Sequence, residues 1–95
     1  MMPIPPKHAR IAVVPGCVVI DPIQCMVYTH LDGHVSIDVE EADLHSEAET
    51  LAKATEILSS AIFSAFTCLS ESKKSLSPKL RKKQEFLSKH LKQST

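Results

Sequence analysis

Residues 46–70, SEAETLAKATEILSSAIFSAFTCLS, form the only long stretch of the chain whose apolar residues keep one period from end to end. At 100° per residue, Leu51, Ala54, Leu58, Ala61, Ile62, Ala65, Phe66 and Leu69 share one half of a helix, with Glu49, Lys53, Glu56, Ser60 and Thr67 opposite. Ser46 followed three residues later by Glu49 has the form of a capping box, in which hydroxyl and carboxylate each satisfy an unpaired backbone donor. The spacing therefore predicts a helix over 46–70. Ordering so many residues costs more than one apolar stripe recovers, so the helix needs a surface to lie on.

A hairpin at 25–39 is the expected surface. Asp32-Gly33 is a favoured type I′ pair between two strand-like runs. A two-residue turn there sets Leu31 against His34, Tyr28 against Ile37 and Met26 against Val39. Met26, Tyr28, Val35, Ile37 and Val39 then line one face with His30, while Thr29, His34, Ser36 and Asp38 line the other with Val27 and Leu31. Residues 10–14 and 17–20, β-branched and apolar around Pro15-Gly16, read as two further short strands. Before them, Pro3, Pro5 and Pro6 favour an extended arm over residues 1–9. Glu40-Glu41-Ala42-Asp43 reads as an acidic link into the long helix, and 70–76 as a polar loop. Ser77-Pro78 restarts a helix, with Ser as cap and Pro in the first turn.

The expected fold is α+β: a small antiparallel sheet of three or four short strands, packed by one long amphipathic helix, plus a C-terminal basic helix. At 95 residues this is one domain, divided into an arm at 1–9, a core at 10–70 and a linker with basic helix at 71–95. The formal charge of zero hides a split. Residues 1–69 carry three basic and nine acidic side chains, and residues 70–95 eight basic and two acidic.

Three cysteines without a CxxC spacing, Cys17, Cys25 and Cys68, suit free thiols in a reducing compartment, and a cytoplasmic location is expected. The four-residue run 11–14 is too short for an export signal, and no stretch has the length of a membrane span.

Chemistry-bearing residues are few. His30, Asp32 and His34 lie within five positions and raise the question of a metal. In the two-residue turn, however, the histidines point to opposite faces, so no metal site is expected. The acids Asp38, Glu40, Glu41 and Asp43 read as solvated, the cysteines sit in apolar text without a base, and two glycines make no phosphate loop. No catalytic residue and no cofactor are expected, and a small metal-dependent or acid/base hydrolase is the least favoured reading.

Two surfaces remain as interaction candidates. Ile57 and Phe63 flank the main stripe and widen the apolar arc beyond what one hairpin covers, and Ala54, Ala61 and Ala65 either fit closely against the sheet or admit another helix, which suits a homo-oligomer or a partner helix. Lys79, Arg81, Lys82, Lys83, Lys89 and Lys92 form a basic patch that could meet phosphates, an acidic protein or the chain's own acidic body. The expected function is that of a small non-enzymatic binding or regulatory protein acting through protein–protein contacts, with nucleic-acid binding as the alternative.

Overall fold

A computed structural model describes residues 4–71 and 76–93. The first three positions of the expected arm and positions 72–75 of the expected loop lie outside the described residues. The chain runs β1 (Lys7–Ile11), β2 (Cys17–Val19), β3 (Ile23–Thr29), β4 (Val35–Val39), a 3-10 turn (Glu40–Ala42), β5 (Leu44–Ala48), α1 (Leu51–Glu71), α2 (Pro78–His90) and β6 (Leu91–Gln93). An antiparallel sheet in the order β1-β3-β4-β5 is packed by α1, and a two-stranded sheet joins β2 to β6. The fold is the small α+β architecture expected.

Period-2 alternation builds the inner face of the sheet. Ile11, Ile23, Cys25, Val35, Ile37 and Val39 are buried there, and α1 supplies Ala54, Leu58, Ile62, Phe66 and Leu69 to the same cluster. Leu87 of α2 and Leu91 of β6 join it, so the basic helix is anchored through these two residues, whereas Leu80 in its first turn is exposed. The start of α2 is as expected: Ser77 accepts a hydrogen bond from Leu80 N at 3.3 Å, and Pro78 occupies the first turn.

Several details differ from those expected. The long helix starts at Leu51, and its capping hydroxyl is that of Thr50, which accepts from Lys53 N at 3.2 Å. Ser46 instead sits in β5, buried, and its Oγ donates to Ala54 O at 2.7 Å. The alternation of Leu44, Ser46 and Ala48 inward with His45 and Glu47 outward fits an edge strand, and pairing with β4 outweighs the local capping motif.

The hairpin turn is longer by one residue. His30 N donates to His34 O and Gly33 N donates to His30 O, both at 2.9 Å, so residues 31–33 form the loop. A type I′ turn needs positive φ at both central residues. Here only Gly33 has it, at +97°, which is the three-residue loop with a left-handed glycine. Val27 therefore faces Ile37 and Tyr28 faces Ser36. The one-residue slip carries Met26 and Tyr28 to the outer face and brings Cys25 and Val27 inside, while Val35, Ile37 and Val39 stay inside as expected.

The first strand lies at Lys7–Ile11, overlapping the expected arm, because its partner β3 begins earlier than the expected hairpin and offers Ile23 and Cys25 to Ile11 and Ala9. The runs before and after Pro15-Gly16 do not pair with each other: β1 joins β3, and β2 joins β6.

Candidate functional site

The five candidate residues of α1 go to three places. Ala54 is fully buried (0% exposed) beneath the sheet and is not available to a partner, its small side chain allowing the close approach at which Ser46 reaches the helix backbone. Ile57, Ala61 and Ala65 follow one another along one edge of the helix, with Ile57 41% exposed and both alanines half-buried. Exposed Cys68 continues that edge. Phe63 lies on the other edge, where its ring packs on Gly16 so closely that a Cβ there would meet Phe63 Cε1 at 2.6 Å. Gly16, at φ +87°, is thus required twice over, by the turn and by the ring. Beside it Ser59 Oγ donates to Val13 O at 3.4 Å, and the Val13 side chain stands 73% exposed.

The basic residues of α2 do not form a free stripe. Lys79 Nζ lies 3.2 Å from Asp43 Oδ2, and Lys82 and Lys83 share a cleft with Glu40, Glu41 and Asp43. Glu41 and Glu85 also flank Lys82 and Lys89. The acidic 3-10 turn thus faces part of the basic patch, at exposed positions where one ion pair contributes roughly 0–1 kcal/mol. Arg81, Lys89 and Lys92 are exposed.

The outer face of the sheet carries a cluster where the two-residue turn leads one to expect none. Because the loop has three residues, His30 and His34 stand opposite each other on one face, their rings stacked at 3.9 Å and 8°. Ser36 is next but one along β4, its Oγ 2.7 Å from His30 Nε2, and Glu47 faces Ser36 from β5. His34 Nδ1 is hydrogen-bonded to Asp32 Oδ1, which also accepts from His34 N at 3.1 Å, and His34 Nε2 meets Glu47 Oε1. The backbone N–H of His34, then its ring, hold the Asp32 carboxyl below its ordinary range. The Asp32 hydrogen bond, helped by the charges of Asp32 and Glu47, pushes the His34 imidazole above its own. Potential ligand atoms of His30, His34 and Glu47 all lie within 4.8 Å of one another. The signal in the sequence was the Leu-Asp-Gly triplet: a three-residue loop reverses the facing of one histidine.

Of the cysteines, Cys25 and Cys17 have thiol pKa values raised by burial, so neither is an activated nucleophile. Acids 38, 40, 41 and 43 lie on the surface turn and the outer sheet face. No helix among the described residues is long and apolar enough to cross a membrane. No family model, curated protein or solved structure matches the chain.

Proposed function

We propose that this chain is a non-enzymatic binding protein that works through protein–protein contacts and associates with a second copy along the Ile57 edge of α1. One observation carries the reading: Ile57, Ala61, Ala65 and Cys68 follow helical spacing on a flank that the sheet does not cover, with a large apolar side chain exposed at one end. Small residues at that spacing let two helices approach closely, and a symmetric pair buries the same edge twice. Light scattering across a dilution series tests it. A mass that falls towards 10.5 kDa on dilution, and stays there at all concentrations in Ile57→Glu, is the expected result. A wild-type mass of 10.5 kDa throughout ends the proposal.

A second reading, contact with nucleic-acid phosphates, is favoured by the exposed Arg81, Lys89 and Lys92. It predicts binding of labelled RNA or DNA that weakens steeply with salt and weakens further when those three charges are removed. Binding indifferent to salt counts against it.

A further inference from the structure

The outer-face cluster differs from an ordinary solvated surface in that its groups converge. His30 and His34 are set opposite each other by the backbone bond between them, and Glu47 comes from the neighbouring strand, so none depends on a free loop for its place. Three side chains from three segments bring potential ligand atoms within 4.8 Å. A tetrahedral ion with bonds of about 2.0–2.2 Å needs ligand atoms about 3.4 Å apart, so atoms now within 4.8 Å must draw in by no more than about 1.4 Å. The stacked rings must turn to aim one nitrogen each at a common point, which exchanges the His30 contact with Ser36 for the ion, and Glu47 reaches it from an exposed position.

The surrounding groups fit the same chemistry. Asp32 holds His34 at Nδ1 and leaves Nε2 directed at Glu47, the carboxylate–histidine arrangement that orients a metal-bound imidazole. Two carboxylates, Asp32 and Glu47, and two neutral imidazoles balance the charge of one dication. Two nitrogens and one oxygen suit zinc and its neighbours over calcium or magnesium, which prefer all-oxygen sets.

We propose that His30, His34 and Glu47 bind one divalent transition-metal ion of the zinc class, with Asp32 as positioning residue and water in the fourth place. The coordinating imidazoles are neutral in the complex, and any proton that a ring nitrogen holds before binding passes to solvent. The site lies on the sheet face away from α1, and it stands whether or not the chain self-associates.

Calorimetric titration of the full chain with zinc chloride near neutral pH should give one ion per chain. Loss of affinity in His34→Ala, His30→Ala and Glu47→Gln should exceed the about 10- to 100-fold typical of removing a supporting partner, and Asp32→Asn should fall within that range. Cobalt in place of zinc should give the intense visible bands of a tetrahedral site in wild type and lose them in His34→Ala, whose metal-free urea midpoint should match that of wild type, so that the loss is not one of folding. His8 and His45 lie on the same sheet face, so the double variant His8→Ala/His45→Ala should bind as wild type does. The proposal is overturned by absence of saturable binding at millimolar zinc, by one ion per two chains, by octahedral cobalt, or by loss that follows His8 and His45 instead.

Discussion

Ser36 and Ile37 are neighbours in β4, and they belong to two different kinds of surface. Ile37 belongs to the buried cluster of Val35, Val39, Leu58 and Ile62, which has no charged member among the described residues. Ser36 touches His30 and lies opposite Glu47, in a region where His34 is bracketed by two carboxylates. The backbone ladder is common to both. The inner face holds the fold together by removing apolar area from water, whereas the outer face contributes little to stability and places polar groups at fixed separations. That division makes the outer face the place where residues can be spent on binding.

The largest expected effect is on the inner side. Ile37→Ala should lower unfolding free energy by about 2–5 kcal/mol in urea titration, whereas Ser36→Ala should change it by roughly 0.5 kcal/mol or less. Equal costs for the two would break the comparison. If the outer face binds zinc, an ion concentration about a hundred times the dissociation constant should stabilise wild type by about 2.7 kcal/mol. Thermal melts of His34→Ala should be unmoved by the same zinc, and an identical rise in both would detach the stabilisation from the cluster.

Gly33→Ala sharpens the contrast at the turn that defines the two faces. Open space surrounds the position, so the cost comes from φ +97° alone and should be about 1–2 kcal/mol. A neutral melt would show that the loop readily adopts another conformation. Ser46→Ala should cost about 1 kcal/mol, because it removes a buried hydrogen bond to a carbonyl that is also within the helix.

The smallest effect concerns Cys25, whose thiol is raised by burial. The folded chain holds that proton more tightly than the unfolded one. Its contribution is therefore complete below the unfolded thiol pKa of about 8.5 and is lost as pH rises beyond it. The urea midpoint of wild type should fall relative to that of Cys25→Ala only above that pH; curves parallel through pH 10 (about 1.5 units beyond it) would show the thiol to be inert.

The elements that local chemistry alone determines were legible in the sequence: the 3.6-residue period of α1, the Ser77-Pro78 start of α2, and the alternation of Val35, Ile37 and Val39. What was misread depended on a choice between two locally sound options. Asp32-Gly33 fits a two-residue or a three-residue loop, and Ile23, Cys25 and Val27 form an apolar face as good as Met26 with Tyr28. The choice is made by β1, whose Ile11 and Ala9 need Ile23 and Cys25 beside them. Ser46 likewise fits a cap or an edge strand, and the strand wins because β4 otherwise has an unpaired edge. The pairing of β2 with β6 left no sequence mark, being formed between short segments far apart in the chain. The histidine cluster was hidden by the same slip of one residue, since facing on a strand depends on register.

The small sheet also bears on the order in which the molecule assembles. Val19 and Leu91 are partners separated by 72 positions, and closing so long a loop is costly until β3, β4, β5 and α1 have already drawn the ends together. The β2–β6 ladder should thus be the last part to close and the first to open. The amide hydrogen of Ile20, which donates to His90 O at 2.8 Å at the end of that ladder, should then exchange with deuterium well before that of Ile37, marking a cooperative unit that unzips while the main sheet stays shut.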